Sequence, residues 1–321
     1  MRNPFKYIEK FTDFLREYIT DMLVFMRYNN YSPFEDRNGK LFYQSIILSH
    51  TIEKGLSLRE PRPLFGRDKI KVILENLRVY NKNYSEFPLG MAHGALQDYC
   101  SFNLLYTTKK DQFLEEIKHY LDSEINPITE RTGGIKNIMF PPSFAKENSI
   151  AFLKSRASCR MFVPDPLPIA QINKVIGIAQ AAPSQCNRQS VRLHFYQNRK
   201  QIADLLKLQG GSVGFSDDVG NLFIITSEIT AWGGPQQRNQ LYIDGGIYAM
   251  MLMLALHAEG IASCPLHLGF TNSVENDIKL AGNIPSNQKL IMMLAIGKTL
   301  ESIITVAKSP RRKVSDIAYF H

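Results

Sequence analysis

Residues 242–267 read YIDGGIYAMMLMLALHAEGIASCPLH. The part from 242 to 260 is apolar almost all round a helix, which predicts a buried central helix. Asp244, Gly245 and Gly246 open this helix, and the two glycines let another backbone approach closely because they carry no side chain. The stretch therefore predicts a globular fold built around one long apolar helix.

Short runs that are dense in apolar residues flank this helix along the chain. RLHFY (192–196), NLFIIT (221–226) and KLIMMLAIG (289–297) are predicted strands. PIAQINKVIGIAQAA (168–182) is a predicted amphipathic helix that a proline opens. Strands thus alternate with helices over the second half of the chain.

The first 140 residues are instead predicted to be mostly helical. Residues 5–28 carry apolar side chains at helical spacing, and we expect this apolar face to dock on the protein's own core, with a membrane-surface or partner helix as the alternative. Further helices are predicted over 41–55, with Gly55 as the glycine that ends the helix, over 69–84 and over 111–125. The stretch 131–148, rich in Gly and Pro, is a predicted linker. The sequence therefore predicts a helical extension over 1–140 and a second domain over 141–321.

Composition narrows the class of protein. Of 321 residues, 44% are hydrophobic and 21% are charged, which excludes a disordered chain. The formal net charge of +8 indicates an anionic partner, such as nucleic acid, a membrane surface or a phosphorylated cofactor. Because the basic residues are scattered along the chain, no nucleic-acid partner is expected.

Cysteine usage and the N-terminus bear on the compartment. Cys100, Cys159, Cys186 and Cys264 form no CxxC pair, which argues against a zinc ribbon or a thioredoxin-type site and fits a reducing compartment. Charges interrupt every apolar stretch near the N-terminus, so no signal peptide is expected. No transmembrane segment and no metal site are expected either, and the predicted location is cytoplasmic.

Three polar segments could carry chemistry. RASCRMF (156–162) places Arg156, Ser158 and Arg160 on one side of an extended chain, as a donor cluster for a phosphate or another delocalised anion, or else as a solvated basic loop. APSQCNRQ (182–189) is either a plain turn or a set of donors and acceptors for the edge of a heterocycle. The basic cluster KSPRRK (308–313) is either a solvated tail or a further anion site.

In this order and spacing, RASCRMF, APSQCNRQ, the helix that Asp244 and Gly245 open, the following GIASCP and the basic cluster resemble the nitroreductase family of FMN-dependent flavoproteins. The resemblance covers a little over half of the chain, from about 150 to 317. It implies an α+β sandwich, with a mostly antiparallel sheet flanked by helices. It also implies a homodimer with FMN at the interface between the two protomers.

The resemblance assigns a role to each segment. Arg156 and Ser158 match residues that hold the phosphate or ribityl chain, and Arg160 matches a residue beside the negative edge of the reduced flavin ring. Arg311, or with it Arg312, matches a terminal phosphate clamp. The segment that packs against the ring corresponds to Pro183, Ser184 and Asn187, and the turn that faces the reactive nitrogen corresponds to Cys264, Pro265, Leu266 and His267.

The implied activity is that of an NAD(P)H-dependent FMN oxidoreductase, which passes electrons to a small electron-poor acceptor in a ping-pong cycle. One alternative is a flavin-binding scaffold or sensor without turnover, linked to a polysaccharide pathway. A second is a specialised flavoenzyme that dehalogenates its substrate or fragments its substrate or flavin, and a third is a protein that binds phosphate or nucleic acid through its basic charge alone.

The remaining expectations concern the substrate side. The segment around Trp232, where the family carries its substrate-covering insertion, is short, so the helical extension is expected to narrow the site entrance instead. His267 is a candidate proton donor to the reduced substrate. His50 and Glu53 have the spacing of half a carboxylate-bridged metal site, but without a second copy a helix surface or a hydrogen bond between domains is the favoured interpretation.

Overall fold

A computed structural model describes residues 4–106, 111–123, 130–138, 146–299, 304–307 and 309–321, without the side chains of 4–9 and 146. Its α-helices are α1 (Pro4–Tyr28), α2 (Arg37–Leu56), α3 (Arg67–Val79), α4 (Phe87–Leu104), α5 (Gln112–Asp122), α6 (Lys146–Ser155), α7 (Ile169–Ala179), α8 (Arg199–Gln209), α9 (Gln240–Ala258) and α10 (Asn272–Gly282). Its strands are β1 (Val191–Tyr196), β2 (Asn221–Glu228), β3 (Ala262–His267) and β4 (Gln288–Gly297). The predicted domain boundary at residue 140 lies outside the described residues.

The four strands form one antiparallel sheet in the order β1-β2-β4-β3. β2 and β4 are central, and their side chains are buried along most of their length because helices cover both faces of the sheet. α7 and α9 pack with one face, and α8 and α10 contribute to the core on the other face. The predicted fold class, α+β with an antiparallel sheet flanked by helices and a helical N-terminal region, is confirmed.

β3 was not predicted as a strand, and residues 264–267 form part of it instead of the expected turn. Cys264 pairs with Ala295 and His267 with Met292 of β4. A proline is tolerated here because β3 is an edge strand, where a missing N–H does not break a ladder on both sides. Residues 264–267 are therefore anchored to the sheet.

The N-terminal helices α2, α3, α4 and α5 pack around a hydrophobic core of their own, which includes Ile52, Ile70 and Leu96. Gly55 lies inside α2 and does not end it, which corrects the prediction. A Cβ at Gly55 would lie 2.1 Å from the Phe65 ring, so the glycine is there because the ring packs against it.

Residues 131–134, predicted as part of the linker 131–148, lie against α4. The Gly90 carbonyl accepts hydrogen bonds from the N–H groups of Thr132 and Gly133. A Cβ on Gly94 would come within 2.1 Å of the Gly133 carbonyl oxygen, so the two backbones touch only because both residues are glycine. This part of the predicted linker is packed and hydrogen-bonded.

α1 corrects a further prediction, since its apolar face does not dock on the protein's own core. Glu17 accepts a hydrogen bond from the Asn272 N–H at 2.7 Å, Asp21 pairs with Lys289 at 2.8 Å, and Phe25 packs near Trp232. The large apolar side chains elsewhere on the helix are exposed. The helix therefore meets the rest of the chain mainly through its polar side.

Contacts between α2 and the sheet join the two halves of the chain. The buried Tyr43 hydroxyl donates to the Glu228 carboxylate, which also pairs with Arg192 at 3.0 Å. Trp232, fully buried, packs with Tyr43 and Leu241. The short segment around Trp232 is thus covered by the N-terminal helices.

One stretch among the described residues, Pro235–Ala258, is long and apolar enough to cross a membrane by length and composition. It contains α9, which packs on β2, β3 and β4. A core helix of a globular protein passes the same test, so this finding is weak evidence for a membrane span.

Candidate functional site

Two of the predicted segments lie side by side. Ser158 forms a parallel bridge with Ser263 at the edge of the sheet, and the Cys159 N–H donates to the Ser263 carbonyl at 3.0 Å. The segment 156–160 therefore runs along β3, directly beside Cys264. α6 ends at Ser155, immediately before Arg156, so the chain leaves the helix at the sheet edge.

Arg156 and Arg160 place positive charge at this edge. Burial raises the pKa of the Cys264 thiol, and the charges of Arg160 and Arg156 partly offset that effect. Burial, together with Arg156, lowers the pKa of His257. The charges of both guanidinium groups thus influence the pKa of Cys264 on β3, and that of Arg156 also influences the pKa of His257. The Arg160 side chain is solvent-exposed.

Arg156 itself is half-buried, and its Nη1 atom is buried without a hydrogen-bond partner. An arginine N–H that is removed from water normally finds an acceptor, because leaving it unpaired costs free energy. The neighbouring His257 is held in place, since its Nε2 lies 2.6 Å from Ser155 Oγ and its ring stacks on Phe152. The Arg156 guanidinium is therefore a half-buried cation with an N–H donor, on Nη1, that lacks an acceptor.

The segment 183–189 forms a strained loop. Cys186, Asn187 and Gln189 all have φ between 52° and 55°, a backbone region that non-glycine residues rarely adopt. The Ser184 hydroxyl accepts a hydrogen bond from the Gln189 N–H at 3.0 Å, which closes the loop on itself. Strain of this kind persists only where the surroundings fix the backbone.

Asp244 supplies one of those fixed points. Its carboxylate is buried and accepts hydrogen bonds from the Gln185 N–H and from Gln240 Nε2, both at 2.9 Å. Asp244 was predicted to open the central helix, but its role toward this loop was not predicted. The acidic side chain that opens α9 thus holds the 183–189 loop.

Arg188 supplies the other fixed point, and the sequence analysis missed it. This buried side chain donates to the Gln185 carbonyl at 3.2 Å and to Gln237 Oε1 at 3.3 Å, and it lies 5.0 Å from the Trp232 ring centre. A cation over an indole face is attracted by the ring electrons. Trp232, the one tryptophan of the chain, therefore contacts the arginine that holds the 183–189 loop. It is buried and does not cover an open pocket.

The loop borders a small cavity of about 150 Å³. Pro183 and Ser184 line it together with Arg192, Asp244 and Tyr248. Asn187 points elsewhere, with its Nδ2 atom 3.8 Å from the Met91 sulfur of α4. The N-terminal helices thus contact the predicted ring-binding loop directly.

A larger cavity of about 700 Å³ lies beyond the end of β3. It is lined by the turn that follows β3, by α1 and by residues of α9, α10 and β4: Glu17, Asp21, Tyr242, Leu268, Gly269, Phe270, Thr271, Asn272, Glu275, Lys289 and Leu290. His267 is exposed and does not line it, and its ring lies 5.0 Å from that of Phe270. The volume is in the range of ligand pockets.

Lys289 is the buried cation of this cavity. It pairs with Glu275 at 2.6 Å and with Asp21 at 2.8 Å. Burial alone would lower its pKa, but Tyr242, Glu275 and the hydrogen bonds from Lys289 to Asp21 and Glu275 outweigh that effect and raise it. Lys289 is therefore charged at neutral pH and fixes the wall between α1 and β4.

The predicted terminal clamp is not brought to the site within one chain. Arg311 and Arg312 are exposed, and the Arg311 guanidinium donates to the Ser309 carbonyl. Over the ranges that the structure describes, no hydrogen bond or ion pair joins either arginine to Arg156, Ser158 or Arg160. Lys308, the first residue of that basic cluster, lies outside the described residues.

His50 and Glu53 form a hydrogen-bonded pair on α2, with Nδ1 and Oε2 2.9 Å apart. The other carboxylate oxygen, Oε1, accepts from the Gly134 N–H at 3.0 Å. Within the described part of the chain, no group of three or more His, Cys, Asp or Glu side chains could hold a metal ion. The pair thus ties α2 to Gly134 within the helical extension, so its hydrogen bonds do not join the two predicted domains.

The antiparallel sheet, the apolar central helix and the two arginines beside β3 define an α+β protein with positive charge at one sheet edge. Residues 153–222 match the model of the nitroreductase family. The match confirms, over this part of the chain, the resemblance that the motifs indicated.

Solved structures similar to this chain include three with related descriptions. A nitroreductase-like protein from Streptococcus mutans is 23% identical with a TM-score of 0.49, over 55% of this chain and 100% of that chain. An FMN-dependent nitroreductase from Clostridium difficile R20291 is 18% identical with a TM-score of 0.45, over 53% and 98%. A nitroreductase family protein from Clostridium difficile 630 is 24% identical with a TM-score of 0.44, over 53% and 96%. No curated protein gives a significant match.

Proposed function

We propose that this protein is an FMN-dependent oxidoreductase that takes reducing equivalents from NADH or NADPH and passes them to a small electron-poor acceptor. The observation that carries the proposal is the unpartnered Nη1 atom of Arg156, buried at the edge of β3 inside the segment that matches the nitroreductase family. A phosphate oxygen is the acceptor that such a guanidinium lacks.

The residues at this edge fit FMN. Arg156 and Ser158 supply donors for its phosphate or ribityl chain, and Arg160 adds a positive charge on the same segment. A fixed cation beside the ring stabilises the negative charge that the reduced flavin carries. Bound FMN would supply the electron transfer itself, and the protein would supply binding, orientation and charge.

The site is proposed to be completed in a homodimer. Arg311 and Arg312 are exposed and have no anionic partner among the described residues, so they are candidates to clamp a phosphate. Pro183, Ser184 and Asn187 lie on a loop that is held rigidly by Asp244 and Arg188, and a rigid loop loses little entropy on binding. α9 adds an exposed apolar row, Tyr242, Ile243, Ile247 and Met250, which a partner protomer would cover.

The acceptor is proposed to enter between the turn after β3 and α1. Cys264, Pro265 and Leu266 lead to that turn, and the cavity of about 700 Å³ begins at Leu268. Glu17 and Asp21 of α1 form its far wall, which supports the role of the extension over 1–140 as a lid. His267 stays the candidate proton donor because its imidazole is exposed beside this turn.

The test is anaerobic reduction of the FMN-loaded protein in a buffer without thiols or other reductants. NADH or NADPH should bleach the flavin absorbance, and an electron-poor acceptor such as a quinone or a nitroaromatic should restore it. A protein that binds FMN but is reduced by neither nicotinamide would refute the NAD(P)H step. A protein that is reduced but returns electrons to no acceptor in a broad panel would favour a scaffold or sensor.

A further inference from the structure

α1 presents its apolar side to solvent. Eight large apolar side chains on it are between 42% and 63% exposed: Phe11, Phe14, Leu15, Tyr18, Ile19, Met22, Leu23 and Met26. They recur at spacings of three and four residues, so they form one continuous face, here named the outer face of α1. A helix on the surface of a monomer has the opposite arrangement, with its apolar side turned inward.

The side of α1 that meets the rest of the chain is polar. Glu17 is held by both the backbone and the side chain of Asn272, Asp21 pairs with Lys289, and the Tyr28 hydroxyl lies 2.9 Å from Ser286 Oγ. These contacts fix the helix with its outer face turned to solvent. The exposure therefore follows from the way the helix is anchored.

The outer face has the size of a protein interface. At about half exposure, and with a full area on the order of 200 Å² for a large side chain, the eight side chains offer roughly 800 Å². A standard interface buries about 800 Å² on each partner. Exposed apolar patches of this size on a soluble protein mark an interaction site.

A second exposed apolar row lies on α9. Tyr242 of α9 lines the same cavity as Glu17 and Asp21 of α1, so the two helices meet at that cavity. Beyond Tyr242, the row continues along α9 through Ile243, Ile247 and Met250, all of them exposed. Two helices that border the same cavity thus each carry an exposed apolar row.

Charge decides between a protein and a membrane as the occupant. Helices that lie on anionic membranes carry mostly Lys and Arg on their polar side. α1 instead carries equal numbers of acidic residues (Glu9, Asp13, Glu17, Asp21) and basic residues (Lys6, Lys10, Arg16, Arg27). A helix without an excess of positive charge is not attracted to an anionic lipid surface, so a protein is the favoured occupant.

We infer that α1 is a dimerisation clasp, whose outer face packs on a second copy of this chain. A two-fold dimer places the same patch on both protomers, so each copy offers the α1 and α9 rows to the other. The inference rests on the proposed homodimer but not on the proposed chemistry. It adds an interface element from the helical extension, and it places α1 at both the cavity wall and the dimer contact.

The test compares the dissociation constant of the full-length dimer, by sedimentation equilibrium, across two variants. Phe14→Glu/Met22→Glu puts two charges on the outer face, and Arg16→Glu changes the net charge equally at an exposed residue that lies off it. Because two large buried contacts are lost, the double variant should weaken the dimer at least roughly a hundredfold. The control should weaken it less than about threefold.

The outcomes separate the clasp from the proposed chemistry. A monomeric wild type, an unchanged dimer in the double variant, or equal weakening in both variants would overturn the clasp. So would binding of the wild type to vesicles of anionic lipid that the double variant loses while its oligomeric state stays the same. FMN titration of the same samples reports on the flavin site separately, because no residue changed here lies at the edge of β3.

Discussion

The case for an anion site depends mainly on one atom, Nη1 of Arg156. The place of Arg156 with Ser158 and Arg160 on one side of an extended segment was predictable from their spacing, but its position beside β3 was not, because β3 was not predicted. Its unpartnered, buried Nη1 atom was not predictable either, since burial depends on tertiary packing. For this residue the sequence thus predicts the segment and the type of side chain, and the structure adds its burial and its missing partner.

We expect Arg156→Ala to weaken FMN binding roughly ten- to hundredfold, because a lost charge-assisted hydrogen bond costs about 1.5–3 kcal/mol. The fold should survive, since the guanidinium makes no hydrogen bond to the protein through Nη1. Titration of FMN by fluorescence quenching measures the change. Arg78→Ala, at an exposed arginine on α3, is the matched control and should leave the affinity unchanged. Equal affinities in wild type and Arg156→Ala would remove the residue from the site.

Asp244→Ala should destabilise the 183–189 loop by about 1–3 kcal/mol, because the Gln185 N–H loses its acceptor. Asp244→Asn keeps an acceptor oxygen and should cost less. Asp204→Ala, at an exposed aspartate on α8, controls for loss of charge. Denaturant unfolding measures the three variants. If Asp244→Ala unfolds like wild type, the carboxylate does not hold the loop.

The roles of Asp244 and Arg188 show where sequence reasoning stops. Both stand within segments that the family resemblance picked out, yet their partners Gln185, Gln237 and Trp232 are brought together by tertiary packing. Side chains that act on the backbone of a distant segment leave no local pattern. The loop residues were therefore predictable, and the side chains that hold them were not.

At the scale of elements, β1, β2, β4, α7 and α9 follow from apolar runs and helical periodicity. β3 was missed because a short run with a proline has little strand character until β4 offers it a partner. α4 was missed because Gly90 and Gly94 interrupt its pattern, and both glycines are required by the segment that crosses them. α1 had the expected periodicity and an unexpected orientation.

α4 also carries a pH-sensitive group. Burial raises the pKa of the Cys100 thiol from 9.0 to about 11. Between these values the folded state holds a proton that the unfolded chain has lost, so the free energy of unfolding falls as the pH rises from about 9 to 11. Wild type should lose about 1 kcal/mol more stability than Cys100→Ala between about pH 8 and pH 10. Parallel curves for the two proteins, in denaturant titrations at both pH values, would contradict this assignment.

At the scale of the whole molecule, the two halves of the chain share one cavity. α1 supplies Glu17 and Asp21, and the turn after β3 supplies the opposite wall. The sequence analysis predicted an extension that narrows the entrance, from the short segment around Trp232. It could not predict that polar contacts, and not the apolar face, would hold α1 in place.

Glu17→Ala should loosen this wall, because Asn272 loses its acceptor. We expect the ratio of kcat/KM for bulky over small acceptors to rise roughly three- to tenfold, since a lost contact of this kind is worth on the order of 1 kcal/mol. Asp13→Ala, an exposed acidic residue of the same helix, should leave the ratio unchanged. Identical acceptor profiles in both variants would show that α1 does not limit access.

The most direct measurement is the visible spectrum of the full-length protein after incubation with FMN and removal of the free cofactor. The account predicts a yellow protein with oxidised-flavin bands and one FMN per protomer, and a marked loss of those bands in Arg156→Ala. A colourless protein that retains no FMN while its fold is intact by circular dichroism would contradict the proposed cofactor site.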